Sequence, residues 1–257
     1  MEYKKMFDLT GRVAVITGAS SGLGVQMAKG LAIHGANIAI LARRKEKLEA
    51  VAEEIKKLGV KCIAVQCDVT DTESIINAAS LIKKEFGKVD ILINNAGSSV
   101  NKPAEEMSDD DWKFTMSVDL DGVFKVAREF GKIMIENKYG RIINIASMYG
   151  MVGNMAIPTS AYHASKGAVV NLTRALAAEW AKHNITVNAI CPGYFATELT
   201  IDTLNTESFT NYMKATVPAG RYGVEGELNP AAIFLASNEA TYVTGAILPV
   251  DGGYTCV

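Results

Sequence analysis

Tyr162 and Lys166 stand four residues apart in YHASK, so on a helix they share one face. A free phenol titrates near ~10, too high for acid–base work at neutral pH. An ammonium group beside it stabilises the phenolate and makes such a tyrosine usable as a proton donor and acceptor. Ser147, at the end of an apolar run, could hydrogen-bond the oxygen of a reacting carbonyl. With nine tyrosines in the chain, the Tyr–Lys pair alone also reads as a surface pair. A second group lies near the start, in TGASSGLG at 17–24. Gly18, Gly22 and Gly24 would let the backbone turn tightly and approach a pyrophosphate. Ser20, Ser21 and Leu23 would then bring free N–H groups to it at a helix start. The same glycines also suit a plain strand-to-helix turn that needs positive φ.

These residues need a frame that brings them to one edge. Near-continuous apolar runs of strand length occur at 12–17, 38–42, 62–68, 89–94, 140–146, 185–191 and 247–250. Helical patterns separate them at 25–34, 45–58, 73–86, 109–137, 161–183 and 227–236. Thr70 and Glu73 form a capping-box pattern, and Asp109 to Asp111 suit the positive end of a helix dipole. Strands apolar on both faces imply a mainly parallel sheet covered on both sides. The expected fold is α/β: one doubly wound, Rossmann-type domain over 1–257, with a seven-stranded sheet and helices on both faces. Ligands then bind outside the carboxyl ends of the strands, where the glycine-rich turn and Ser147 both fall. The irregular stretch 193–226 is expected to form a substrate lid. Its Thr- and Asn-rich part, 201–217, reads equally as a polar surface helix.

Composition narrows the function. Apolar residues make up 49% of the 257, which disfavours disorder. The 26 basic residues face 28 acidic ones, which disfavours a nucleic-acid binder held by charge. Cys62, Cys67, Cys191 and Cys256 have neither zinc-site nor disulfide spacing and read as thiols of a reducing cytosol. His34, His163 and His183 lack ligand spacing, so packing or solvent roles are expected and no metal site. Met148, Met151 and Met155 read either as a substrate mouth or as gap-fillers. No apolar segment has secretory or membrane-spanning length, so a cytoplasmic protein without membrane contact is expected. The second strand ends in Leu41-Ala42-Arg43-Arg44, with no carboxylate to take a ribose 2′-hydroxyl. Arg43 and Arg44 suit a 2′-phosphate, pointing to NADP(H) over NAD(H), unless they merely open a solvated helix.

The full set resembles the short-chain dehydrogenase/reductase family over essentially the whole chain. The motifs are TGASSGLG, Asp68-Val69, NNAG at 94–97, Ser147, YHASK, Pro192-Gly193 and Asp251-Gly252-Gly253. The resemblance implies that Tyr162 exchanges the proton, that Lys166 binds the nicotinamide ribose and tunes Tyr162, and that Ser147 holds the carbonyl. It implies that Asp68 and Val69 border the adenine, and that Asn95, Ala96 and Gly97 line the cofactor while Asn94 supports the sheet. Pro192, Gly193, Phe195 and Thr197 would contact the nicotinamide end. One position departs: Asp119, in VDLDGVF, stands where the family usually has Asn. The resemblance gives that position a relay water for the lysine, and Asp119 is expected to keep it.

Segments 183–200 and 217–223 and the closing DGGYTCV resemble the gluconate 5-dehydrogenase subgroup. The expected reaction is hydride exchange between NADP(H) and the C–OH or C=O group of a sugar acid, keto-sugar or polyol. Alternatives are a 3-oxoacyl thioester reductase, a hydroxysteroid dehydrogenase or a non-catalytic NADP(H)-binding sensor. The family also implies a homotetramer built through long helices.

Overall fold

A computed structural model describes residues 6–198 and 200–257. Its centre is a seven-stranded, all-parallel sheet in the order β3-β2-β1-β4-β5-β6-β7. The strands are β1 Val13–Thr17, β2 Asn37–Ala42, β3 Cys62–Gln66, β4 Ile91–Asn94, β5 Gly140–Ile145, β6 Ile185–Pro192 and β7 Ile247–Val250. The helices are α1 Gly22–Ile33, α2 Lys45–Lys56, α3 Thr72–Phe86, α4 Asp109–Met116, α5 Gly122–Asn137, α6 Ser160–Trp180, α7 Ile201–Leu204, α8 Glu207–Thr216 and α9 Asn229–Ala236. The order reverses beside β1, where chain direction splits between β2 and β4. That is the crevice such sheets offer to a dinucleotide.

Strand period assigns the two faces. Ala14 and Ile16 of β1 pack with Met27, Leu31, Leu48, Ile55 and Leu235, under α1, α2 and α9. Val15 between them faces the other way, onto Ile75, Ile82, Phe130 and Leu176 of α3, α5 and α6. Each such fully buried Leu, Ile or Phe contributes roughly 1.5–3 kcal/mol. This two-sided burial explains why the strands read as unbroken apolar runs rather than alternating ones.

Three local expectations change. The capping box read at Thr70 and Glu73 is absent. Asp71 caps α3 by accepting from the Glu73 amide at 3.0 Å, while the Thr70 hydroxyl donates to Asp68. The helix expected over 109–137 begins at a true capping box, Ser108 with Asp111, but is interrupted. Residues Ser117–Asp121 form a π-helical turn between α4 and α5. Such a turn inserts an extra residue into the helix and often marks a functional site. Helix α1 begins inside the glycine motif, three residues ahead of the expected 25.

Two contacts set the height of α6, which carries Tyr162 and Lys166. A buried chain of hydrogen bonds runs from Asn94 Nδ2 to Asn144 Oδ1 (2.9 Å), then from Asn144 Nδ2 to Thr173 Oγ1 (2.9 Å) and on to the Val169 carbonyl (2.8 Å). It ties β4 and β5 to the middle of α6. Nearer the site, the turn Met148–Gly150 lies directly on the helix. A Cβ placed on Gly150 would come within 2.6 Å of the Lys166 carbonyl oxygen. Backbone cannot yield there cheaply, so Gly150→Ala should cost about 1–3 kcal/mol. Thermal unfolding should show a lowered Tm; an unchanged Tm would mean the turn and helix can separate freely.

Candidate active site

Lys166 lies at the centre. Its side chain is 4% exposed. Nζ donates to the Ile145 carbonyl at 3.1 Å, at the end of β5, and sits 5.4 Å from the centroid of the Tyr162 ring. One helical turn separates the two residues on α6, as the four-residue spacing predicts. Asp119, from the π-helical turn, approaches from the other side, with Oδ2 3.9 Å from Lys166 Nζ. Its Oδ1 accepts from the Ser98 amide at 2.7 Å, and Oδ2 has no partner at good hydrogen-bond geometry among the described residues. Asp119 is wholly buried, and that burial pushes its carboxyl above the usual range, against the opposing pull of Lys166, the Ser98 amide and the Ser165 hydroxyl. Gly97 lies between them: a Cβ there would be 3.4 Å from Asp119 Oδ1 and 3.5 Å from Lys166 Nζ. Ser147 follows β5, nearly buried, and its Oγ accepts from the Tyr149 amide at 3.1 Å. That bond uses a lone pair and leaves the Ser147 hydrogen to donate.

The glycine-rich turn meets the requirements of a dinucleotide site. Gly18 has φ +65°, and a Cβ on it would press to 2.8 Å from Ala96 Cα. A Cβ on Gly24 would lie 2.6 Å from the Gly18 carbonyl oxygen, so α1 packs on the turn only with glycine there. The first turn of α1 has no acidic residue, and Ser21 at its N-cap makes no side-chain capping bond. Its amides are thus left for an anion. Asn95 holds the turn from below: Nδ2 donates to the Thr17 and Gly18 carbonyls at 3.0 and 3.2 Å, and the Asn95 and Ala96 amides donate to Thr17 Oγ1 at 3.0 Å each. Asn95 therefore positions the turn with its side chain. Leu23 packs on the core, and Val69 lies against Gly122.

The two arginines differ. The Arg44 guanidinium donates to Ser20 Oγ at 3.0 Å and Ser21 Oγ at 3.3 Å, joining the start of α2 to the turn. Arg43 lies near Asp68, whose carboxyl is raised by burial but held below its ordinary range overall by the Thr70 amide and hydroxyl and the Arg43 charge. On the opposite side, Thr197 Cγ2 would be 3.4 Å from a Cβ on Gly22, so the chain after β6 reaches across the start of α1. The Gly193 amide donates to the Val250 carbonyl. Pro192 ends β6 buried, and Phe195 is buried with its ring against Gly223. The residues present fit a phosphate-bearing dinucleotide.

The mouth of the site contains residues that sequence reasoning passed over. Tyr149 stacks on His163 (4.5 Å between centroids), meets Tyr162 edge-on (6.5 Å) and hydrogen-bonds Tyr194 through the two hydroxyls at 2.5 Å. Tyr194 packs edge-on against Phe209 and Tyr212 of α8 and against Tyr254. Their place two residues after Ser147 and directly after Pro192-Gly193 was the available signal. His163 has a packing role. Its Nδ1 lies 2.8 Å from the Thr159 carbonyl, which can only accept, so Nε2 accepts from Asn154 Nδ2 at 3.1 Å. Of the three methionines, Met148 is buried, while Met151 and Met155 are exposed.

A family model described as enoyl-(acyl carrier protein) reductase matches residues 18–255. The chain belongs to the short-chain dehydrogenase/reductase family. It is 40% identical to the gluconate 5-dehydrogenase of Gluconobacter oxydans, over 99% of both chains. It is 43% identical to the galactitol 2-dehydrogenase (L-tagatose-forming) of Cereibacter sphaeroides, again over 99% of both. Among solved structures it resembles a gluconate 5-dehydrogenase from Burkholderia cenocepacia in complex with NADP and tartrate, with a TM-score of 0.94, 39% identity and 98% of each chain covered. As a short-chain dehydrogenase/reductase it is an NAD(P)-binding oxidoreductase acting on C–OH groups. Among the described residues no helix is long and apolar enough to cross a membrane.

Asp119 supplies a test of the site's electrostatics. Its carboxylate lies against Lys166, so Asp119→Asn removes a negative charge that opposes phenolate formation nearby. In the oxidation direction, where a phenolate is the base, the ascending limb of kcat/KM should move to lower pH, by about 1 unit. Identical pH profiles in Asp119→Asn, Asp119→Ala and the unaltered enzyme would remove the side chain from the reaction.

Proposed function

We propose that this protein exchanges a hydride between NADP(H) and the C–OH or C=O group of a sugar acid, keto-sugar or polyol, with Tyr162 as general acid and base. The observation that carries the reading is the buried Lys166 ammonium, placed beside the Tyr162 ring at the end of β5, where Ser147 follows. When bound, the nicotinamide supplies or accepts the hydride. The Ser147 hydroxyl donates to the substrate oxygen. Tyr162 gives its proton to that oxygen as a carbonyl becomes an alcohol, and takes it back in the reverse direction. Lys166 supports the phenolate that results, and Asp119 balances Lys166. The substrate class rests on the two relatives named for gluconate and galactitol, each matched along nearly its whole length.

Tyr162→Phe removes the transferable proton and should lower kcat by about 10²–10⁴-fold. The assay follows NADPH oxidation with 5-keto-D-gluconate, fructose, sorbose, an acetoacetyl thioester and a ketosteroid. Turnover of a keto-sugar or keto-acid, lost in Tyr162→Phe, supports the reading. Turnover of the thioester or steroid alone keeps the chemistry and overturns the substrate class. The thioester is disfavoured because Arg221, a candidate contact for an acidic carrier, is already paired with Glu227 at 2.7 Å through both nitrogens.

The preference for NADP(H) is proposed from Arg44, whose guanidinium is held at the glycine-rich turn by Ser20 and Ser21. A 2′-phosphate there would gain a charge-assisted fork that NAD(H) cannot use. Arg44→Ala should raise the KM for NADPH about tenfold or more while moving the KM for NADH little. An equal change for both cofactors would argue against the assignment.

A further inference from the structure

Four phenols converge at the mouth of the site from four separate parts of the chain. Tyr149 comes from the turn after β5, Tyr194 from just past β6, Tyr212 from α8 and Tyr254 from the C-terminal turn. Tyr194 is central: its ring lies 6.2 Å from Tyr149, 6.2 Å from Tyr212 and 6.0 Å from Tyr254. The hydroxyls pair, Tyr149 with Tyr194 at 2.5 Å and Tyr212 with Tyr254 at 3.2 Å. Each phenol has one hydrogen to donate. Whichever of Tyr149 and Tyr194 donates, the Tyr149 oxygen keeps bonding capacity: its hydrogen if Tyr194 donates, its lone pairs if Tyr149 does. Burial pushes the Tyr149 hydroxyl up to about 12 and raises Tyr194 as well, so both remain protonated donors at neutral pH.

Tyr149 sits close to the reaction. Tyr149 meets the Tyr162 ring edge-on, and its amide holds the Ser147 oxygen. A partly buried hydroxyl left with unmet hydrogen-bonding capacity is costly. An apolar carbonyl compound entering the site would exclude water and leave that capacity unmet. A substrate with a hydroxyl near its reacting carbon, which can both donate and accept, would meet it, and sites of this kind discriminate strongly against analogues lacking the group.

We propose that the Tyr149–Tyr194 hydroxyl pair reads an oxygen substituent near the reacting carbon, and so makes the site select polyhydroxy substrates over apolar carbonyl compounds. This inference rests on the sugar-acid or polyol reading above. Tyr149 and Tyr194 are specificity residues in this scheme. The rings of Phe209 and Tyr212 hold α8 against the pair, so the segment that covers the mouth packs on the group that reads the substrate.

Tyr149→Phe and Tyr194→Phe each keep the ring and remove one hydroxyl. Tyr254→Phe removes a hydroxyl from the far pair and serves as the control. With saturating NADPH and 5-keto-D-gluconate as the probe, KM should rise about tenfold in Tyr149→Phe or Tyr194→Phe, with kcat changed less than about threefold. Tyr254→Phe should keep KM within about twofold. A flat KM in both test variants overturns the proposal, as does a fall in kcat at constant KM or a matching effect in Tyr254→Phe. If either test variant loses thermal stability, analogues of the keto-acid each lacking one hydroxyl are given to the unaltered enzyme. At least one must lose about tenfold in kcat/KM, and equal turnover of all of them overturns the proposal. Turnover of 5-keto-D-gluconate by the unaltered enzyme with flat variants defeats this inference alone. Silence of the unaltered enzyme toward every polyhydroxy compound defeats the substrate reading and this inference with it.

Discussion

Lys166 carries a full positive charge to a place that water hardly reaches, and burying such a charge without partners would cost several kcal/mol. The surrounding structure offsets that cost with three different groups. A backbone carbonyl at the end of β5 accepts from the ammonium, the Asp119 carboxylate lies 3.9 Å away, and the Tyr162 ring offers its π-face. Each arrives on a different element, so the positions of β5, the π-helical turn and α6 are fixed relative to one another around one nitrogen atom. The hydrogen-bonded chain through Asn94, Asn144 and Thr173 and the bare contact at Gly150 then keep α6 from sliding along the sheet.

The same economy governs the cofactor side. The first turn of α1 leaves its amides without a side-chain cap and without an acidic neighbour. A helix end of that kind is a standing electrostatic demand for an anion. Around it, Asn95 fixes the turn by its side-chain amide, and Arg44 reaches over to its two serines. Gln26, on the same helix, accepts from the Gly226 amide at 3.2 Å. The stretch between β6 and α9 is thereby anchored to the helix that starts in the glycine-rich turn.

Much of this was legible in the residues. Apolar runs of strand length, with helical periods between them, are dictated by a sheet buried on both faces, so strand number and direction could be read before any coordinates. Ser147, Tyr162 and Lys166 were legible because local spacing and strand ends place them. What was not legible depends on contacts between distant parts of the chain. The π-helical turn at Ser117–Asp121 leaves no mark in the hydrophobic period. Thr70 and Asp71 are both good capping residues, and the choice of Asp71 follows from Thr70 being occupied with Asp68. Arg43 and Arg44 look alike in order, yet the backbone at the end of β2 sends only Arg44 to the glycine-rich turn. The meeting of Tyr149 with Tyr194 joins residues far apart in the chain, and neither is unusual in its own neighbourhood.

The stretch 193–228 adds no strand to the sheet among the described residues; its bridge between Phe195 and Gly223 is internal, and it is fastened to the frame by the Gly193–Val250 and Ala219–Gly252 backbone bonds, by Gln26 and by buried side chains such as Phe195 and Leu228. Its exposed positions can therefore change without disturbing the strand register that holds Ser147, Tyr162 and Lys166. Such a division lets one scaffold be retargeted, by natural drift or by a focused library, through changes in the rim alone.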